Sequence, residues 1–260
     1  MNELIYLYCI SDSLPDPGFN QGQDEIQVLT FGTLNVFVKY VPKSEFSEEN
    51  LKKNLADIIW LEGNARNHVK VINQLMLQIN VMPFNFGTIY TEEEHLKKFV
   101  TEYSEKIIQN FNIIKDKEEW SVKIYCDRKE LSEKIDELSE ISAELEKQIM
   151  ASSPGKAFLL RRKKTEMVET EMDRLCKFYG QKYYNAFESV SEITSINNLL
   201  PKEYTGRTDT MILNAAFLVF RSNVSEFLKT MNDLKKSDEC SGFKLETSGP
   251  WPPFSFISIK

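Results

Sequence analysis

Two histidines and four cysteines are all the imidazole and thiol chemistry in this chain of 260 residues. Cys9, Cys126, Cys176 and Cys240 stand far apart and form no C-x-x-C pair, which excludes a zinc ribbon and a thioredoxin motif. Four thiols without a framework fit a reducing cytoplasm. His68 and His95 cannot furnish a three-histidine metal site, and no H-E-x-x-H is present. No metal or cofactor is expected. Long apolar runs are missing too. The longest, Met211 to Phe220, is broken by Asn214 and falls far short of the ~20 residues that span a bilayer. Met1-Asn2-Glu3 supplies no basic leader and no small-residue cleavage site follows, so no signal peptide is expected. Cationic excess is lacking, since the net charge is −7. That disfavours general nucleic-acid binding, which needs a basic surface to displace counterions. It suits a soluble protein that handles a sticky partner without aggregating. The RNP1 pattern, the G-x-S-x-G elbow and repeats of 20–50 residues are all absent.

What is present reads as a globular α+β protein. Hydrophobic residues make up 42% and charged residues 27%, too apolar for disorder and too charged for a membrane protein. Glu3 to Ile10 is a near-continuous apolar run, the mark of a central strand covered on both faces. Ser11 to Gln23 is a polar loop, and Leu34, Val36, Val38 and Tyr40 alternate as a second strand. Ile58, Leu61, Ala65, His68, Ile72, Leu75 and Ile79 step by three and four, giving an amphipathic helix. Phe84 to Tyr90 reads as a strand. Thr91 to Glu94 reads as a capping box opening a helix with Leu96, Phe99, Tyr103, Ile107 and Phe111 on one side. Trp120 to Cys126 alternates. A second capping box, Asp127 to Glu130, opens a helix carrying Leu131, Ile135, Leu138, Leu145 and Ile149.

After the break at Ala151 to Gly155, a helical pattern runs from Lys156 to Asn197, with Gly180 as a candidate bend. The two long helices, about 127–150 and 156–198, form a helical hairpin. Met211 to Phe220 is a buried strand, and a helix with Phe227 and Met231 follows it. Phe243 to Thr247 is a strand, and Phe254, Phe256 and Ile259 make a last one. The alternation points to two ferredoxin-like domains, 1–116 and 117–260, joined within Asn112 to Glu119.

Each candidate for chemistry has a structural reading beside it. His68 lies on the apolar stripe of its own helix, which favours a hydrogen-bonded core histidine over a general base. His95 follows three glutamates in a first helical turn, where carboxylates complement the helix dipole. Ser153-Pro154-Gly155-Lys156 is not a phosphate loop. Met150 stands where glycine is needed, Ala157 where serine or threonine is, and a helix precedes it instead of a strand. Arg161-Arg162-Lys163-Lys164 is the strongest basic cluster. It is either a dock for acidic helices of a partner or a phosphate-rich surface, with Arg161 and Arg162 in contact, or a solvated face balanced by Glu166, Glu169 and Glu171. The acidic series Glu133, Asp136, Glu137, Glu140, Glu144 and Glu146 reads as a charged outer face. Pro250, Pro252 and Pro253 stiffen the ending that carries Trp251, Phe254 and Phe256. These aromatics lock the terminal segment into the core, or Trp251 and Phe254 serve a partner as anchors.

Seven segments, in order, resemble the GvpL/GvpF family of gas vesicle proteins. They are Leu4-Ile5-Tyr6-Leu7-Tyr8; Trp60-Leu61-Glu62 with Ala65 and His68; Met82-Pro83-Phe84-Asn85-Phe86-Gly87-Thr88-Ile89-Tyr90; and Glu118-Glu119-Trp120-Ser121-Val122-Lys123-Ile124. Ser153 to Leu159, Leu213 to Val219, and Gly249-Pro250-Trp251-Pro252-Pro253-Phe254 complete the set. The opening and the Val122 to Asp127 strand are closer to the GvpL type. Asn85 is a departure, since many members carry a basic residue there. The resemblance implies an accessory protein of gas vesicle assembly in the cytoplasm and at the vesicle, and not an enzyme. It implies binding to the hydrophobic shell protein GvpA and to other accessory proteins, with neither nucleic acid nor lipid membrane as partner. A minor structural component of the vesicle wall is the alternative. A small-molecule enzyme is more distant, and a deep pocket converging on His68 is what would revive it.

Overall fold

The computed structural model describes residues 2–16, 25–237 and 242–259. Positions 17–23 of the expected loop, Cys240 and Lys260 lie outside the described residues. The chain divides into two compact units. Unit 1 is Met1–Glu119 with Pro250–Lys260, and unit 2 is Trp120–Gly249. The expected second domain, 117–260, differs from this division in its final segment, which groups with unit 1.

Unit 1 is built on β1 (Glu3–Ser11), β2 (Gln27–Phe31), β3 (Leu34–Pro42), β4 (Met82–Pro83) and β5 (Ile89–Tyr90). Its helices are α1 (Lys43–Phe46), α2 (Glu48–Asn54), α3 (Ile58–Met76), α4 (Glu93–Glu102) and α5 (Ser104–Ile114). The sheet order is β2-β3-β1-β4, with antiparallel pairing throughout. As its composition predicts, β1 is covered on both faces. Leu4, Tyr6 and Tyr8 pack with Val71, Ile72 and Leu75 of α3. Ile5, Leu7 and Ile10 pack with Leu96 and Val100 of α4 and Ile107 and Phe111 of α5. The register of β1 on β3 slips between Leu7 and Cys9. This bulge turns Tyr8 and Cys9 toward the same core, re-aiming a side chain as bulges do. Asp57 starts α3 by accepting hydrogen bonds from the backbone N–H groups of Ile59 at 2.9 Å and Trp60 at 3.2 Å.

Three sequence expectations need correction in this unit. Phe84 to Tyr90 is not one strand. β4 pairs with Cys9 and Ile10, β5 pairs with Ile5 and Tyr6, and the intervening turn carries Gly87 at φ +81°. The apolar alternation there reports burial, while the left-handed glycine interrupts the ladder. The Thr91 capping box does not form. Glu92 is the N-cap residue and makes no side-chain cap, and the Thr91 hydroxyl meets His95 Nδ1 at 3.1 Å. The following helix is two, α4 and α5, broken at Tyr103.

Unit 2 comprises β6 (Lys117–Cys126, entered from unit 1), α6 (Arg128–Glu133), α7 (Ile135–Leu138), α8 (Glu140–Met150), α9 (Pro154–Glu188) and β7 (Ile193–Ile196). Then come α10 (Lys202–Thr205), β8 (Thr210–Phe220), α11 (Val224–Ser237) and β9 (Phe243–Trp251, whose last two residues belong to unit 1). The sheet order is β7-β8-β6-β9. Trp120, Val122, Ile124 and Cys126 share a core with Leu213, Ala215, Phe217 and Val219 from β8. Met172, Leu175, Tyr183 and Phe187 of α9 and Phe227 of α11 complete it.

The helical hairpin is present, with different bounds. Its first arm is not one helix over 127–150. The chain breaks at Lys134 and Ser139, and Ser139 caps α8 by accepting from Ser142 N–H at 3.2 Å. The second arm ends at Glu188, not near 198, and at 1.5 Å per residue its 35 residues span about 52 Å. Ile193 to Ile196 leave the helical stripe and pair antiparallel with β8. The β-branched Ile-Thr-Ser-Ile sequence suits that edge. Gly180 lies inside the continuous α9, where an added Cβ would meet the Ile212 carbonyl at 3.4 Å, about van der Waals contact. The expected last strand is a 3₁₀ turn, Phe254–Phe256. Pro252 and Pro253 lack the amide donors a ladder needs.

Gly242 closes the start of β9 onto α6. Its φ is +77°, its carbonyl accepts from Asp127 N–H at 2.8 Å, and an added Cβ would lie 2.9 Å from the Leu131 nitrogen. Gly242→Ala should lower unfolding free energy by about 1–3 kcal/mol in denaturant titration. Gly155→Ala, in open space on the first turn of α9, should be neutral or stabilising by up to about 1 kcal/mol.

Candidate functional site

Two places in the molecule gather the residues singled out from the sequence. The first is in unit 1, around His68. The imidazole is 2% exposed and sits between two protein partners. Nε2 lies 2.9 Å from the Phe84 carbonyl, which can only accept, so Nε2 carries the proton. Nδ1 therefore presents a lone pair, and the Tyr6 hydroxyl donates to it at 2.8 Å. The Tyr6 oxygen in turn accepts from Gly87 N–H at 3.3 Å. Aromatic rings enclose this chain of bonds. Tyr8 stacks on His68 at 5.4 Å between centroids, Phe86 meets it edge-on at 5.9 Å, and Phe254 lies at 6.5 Å. Trp60 packs on Phe46 at 5.4 Å and on Phe86 at 6.2 Å. Burial holds the His68 pKa below its ordinary value, partly offset by the bond to Phe84. Burial also pushes the Tyr6 phenol up.

A cavity of about 220 Å³ opens beside this ring, with Tyr8, Lys39, Glu45, Asn64 and Asn67 among its walls. It is the pocket that bears on the enzymatic alternative. Both nitrogens of His68 are already committed, and so is the Tyr6 hydroxyl in both directions. No nucleophile is paired with a free base here, and the geometry is that of a structural knot. Among the described residues, no group of three or more His, Cys, Asp or Glu is placed to hold a metal ion. No helix among them is long and apolar enough to cross a membrane.

The chain's final segment is fixed onto the same unit. Glu119, 6% exposed, accepts from Ser255 N–H at 2.9 Å and from the Ser255 hydroxyl at 2.7 Å. Burial raises its pKa, and the two Ser255 bonds pull against that. Asn110 of α5 exchanges two hydrogen bonds with the backbone of Ser258, at 3.0 and 3.1 Å. Phe254 is thus placed in the aromatic core. Trp251 is 38% exposed and, with Pro250, edges a broad groove along α3 whose walls include Ala65, Val69, Met76 and Leu77.

The second place is the helical hairpin of unit 2. Leu145 and Ile149 of α8 pack on Ala157, Leu160 and Met167 of α9. Lys164 turns inward and binds Asp136 at 2.6 Å and Glu146 at 2.7 Å. Arg128 ties α6 to α9 through Glu169 at 2.5 Å and Asp173 at 2.7 Å. Ser139 donates to the buried Glu171, which also pairs with Arg174 at 2.7 Å. The acidic series is therefore not uniformly an outer face: Asp136 and Glu146 brace the hairpin. At its tip, Met150, Phe158 and Leu159 are 77%, 69% and 65% exposed. Arg161, Arg162 and Lys163 are exposed beside them, with Arg162 in a loose i,i+4 pair with Glu166 at 3.5 Å. The Ser153-Pro154 turn starts α9 with proline in the first turn, as the helix-breaking reading has it.

The fold and these sites fit one protein class, an α+β protein with two sheets and a braced helical arm. Residues 4–258 match the model of the gas vesicle synthesis protein GvpL/GvpF family, and the chain belongs to that family. It is 22% identical over 266 residues to gas vesicle protein L of a Streptomyces species, covering 99% of this chain and 94% of that one. Its fold is similar to the crystal structure of gas vesicle protein GvpF from Anabaena, with a TM-score of 0.70, 18% identity and 99% of both chains covered. It is also similar to that of GvpF from Microcystis aeruginosa, with a TM-score of 0.66, 17% identity and 97% and 98% covered.

The knot around His68 sets a pH dependence. A folded-state pKa held below the unfolded value near 6.5 means that the unfolded chain binds the proton first. Stability is full above about pH 6.5 and falls as pH drops below it, by up to about 1.4 kcal/mol per pH unit between the two pKa values. Urea midpoints from pH 8 to 5 check this, and His68→Gln should flatten the slope. Tyr6→Phe leaves Nδ1 buried without a donor and should cost about 1–3 kcal/mol at pH 7.5.

Proposed function

We propose that this chain acts in gas vesicle formation by binding other proteins, covering the apolar face of the shell protein GvpA and joining other accessory proteins before the wall assembles. A subunit destined for a gas-filled wall carries an apolar face that aggregates when free. The observation that carries the reading is the hairpin tip. Three large apolar side chains stand exposed there on a rigid, ion-paired arm. Between Lys147 and Thr165 there is no carboxylate, although the whole chain has a net charge of −7. Arg161 and Arg162 are contact residues in this reading, and Trp251, at the edge of the α3 groove, is a further one. Phe254 serves chiefly to hold the terminal segment, with any partner contact passing through Trp251.

The same proposal takes each unit as a ferredoxin-like sandwich. The order β7-β8-β6-β9, with helices after β6 and after β8, supports it in unit 2. In unit 1 the order β2-β3-β1-β4 supports it, with helices added on the second face of the sheet. Work on surfaces requires no reactive group, so the role is not enzymatic. It places the protein in the cytoplasm and at the growing vesicle, away from nucleic acid and lipid.

Binding of purified GvpA, kept soluble in mild detergent, to the immobilised full-length chain tests the idea. The wild-type chain should bind, and the double variant Phe158→Glu, Leu159→Glu should bind at least about tenfold more weakly, a loss of ~1.4 kcal/mol. Absence of any complex with GvpA or with the other accessory proteins overturns the reading. Retention of the protein on washed vesicles at fixed stoichiometry would instead support a built-in component of the wall.

A further inference from the structure

Cys126 and Cys176 are separated by fifty positions, yet they meet. Cys126 is the last residue of β6 and is fully buried, and Cys176 lies on α9, half-buried, against the same core. Both side chains belong to this one core, and each thiol acts directly on the other. Two residues beyond Cys126, Arg128 at the start of α6 pairs with Glu169 and with Asp173, one turn before Cys176 on α9, so the chain next to each cysteine is pinned to the chain next to the other. The residues between the two cysteines are α6, α7, α8 and the first part of α9, so the pair closes the base of the helical hairpin.

We propose that Cys126 and Cys176 are a reversible two-thiol oxidation site, taking hydrogen peroxide as oxidant and closing a disulfide across the base of the hairpin. Cys176 is the attacking sulfur. It is the more exposed of the two, and the Cys126 thiol beside it, with the nearby Arg128 charge, holds its thiol below the ordinary range. Its thiolate attacks one peroxide oxygen, the O–O bond breaks, and the departing oxygen leaves as water after taking a proton, giving a sulfenic acid on Cys176. The Cys126 sulfur then attacks the Cys176 sulfur. The S–S bond forms, the S–O bond breaks, and hydroxide leaves as water with the Cys126 proton. Two thiols lose two electrons and two protons, and the peroxide is reduced to water. In a reducing cytoplasm such a bond is transient, reopened by dithiol exchange, and so acts as a sensor and not as a staple. Cys9 is the internal reference: it is buried in the core of unit 1, and burial pushes its thiol up.

The test uses the native full-length chain with a few equivalents of hydrogen peroxide, followed by intact mass and a non-reducing peptide map. The expected result is a loss of about 2 Da, reversed by dithiothreitol, with the peptides of Cys126 and Cys176 linked. Cys126→Ser should instead accumulate a sulfenic acid on Cys176 that dimedone traps, and Cys176→Ser should give neither product. Cys176 should be consumed at least about tenfold faster than Cys9. Oxidation that spares both thiols, that links either to Cys240 instead, or that strikes Cys9 first overturns the proposal. The wild-type peptide map alone decides the matter if a serine variant does not fold.

Discussion

Unit 1 is arranged around one neutral imidazole. Burial favours the uncharged form of His68, and in that form its Nε2–H meets the Phe84 carbonyl and its Nδ1 lone pair the Tyr6 hydroxyl. Those bonds bring together β1, α3 and the turn before β5, and the terminal segment adds Phe254 to the ring stack. A buried polar group without partners is costly, so each of these segments has one acceptable position relative to the others. The β1 bulge contributes by aiming Tyr8 at the face of the imidazole. Four of the seven segments that resemble the family converge on this one cluster, where they supply its hydrogen bonds and ring contacts.

Unit 2 handles charge in a different way. Of the four consecutive cations at the start of α9, only Lys164 is drawn inward, where Asp136 and Glu146 neutralise it. Arg161, Arg162 and Lys163 stay in water beside exposed Phe158 and Leu159. A run that looks uniform in the sequence thus divides into one structural member and three available ones. The division follows helical geometry, because Lys164 lies about one turn from Leu160 and Met167, on the face that packs against α8.

Long, strongly patterned elements were legible from the sequence. β1, α3, β6, β8 and the hairpin's second arm each carry a stripe or an apolar run that leaves little choice. Shorter features were not. β2 is a five-residue edge strand beside a left-handed Gly32, with no apolar face clear enough to announce it. The breaks at Lys134 and Ser139 are silent because the apolar stripe resumes in phase on their far side. Ile193 sits at a helical spacing from Val190, and only the ladder with β8 claims it for a strand. His68 was readable as a core histidine from its stripe. Its donor Tyr6 was not, because a contact across 62 positions leaves no local periodicity. The meeting of Cys126 with Cys176 escaped for the same reason.

Unit 2 is spliced into unit 1: the polypeptide leaves at Glu119 and comes back at Pro250. During translation the returning segment emerges only after all of unit 2. Until then the Glu119 carboxylate, the Asn110 amide and the place beside His68 wait without Ser255, Ser258 and Phe254. The later-made unit can therefore mature before the earlier-made one, the reverse of the usual order of synthesis. A nascent or nonsense-truncated product that stops short of Pro250 has every residue of unit 2 but leaves unit 1 without the segment that satisfies Glu119 and Asn110.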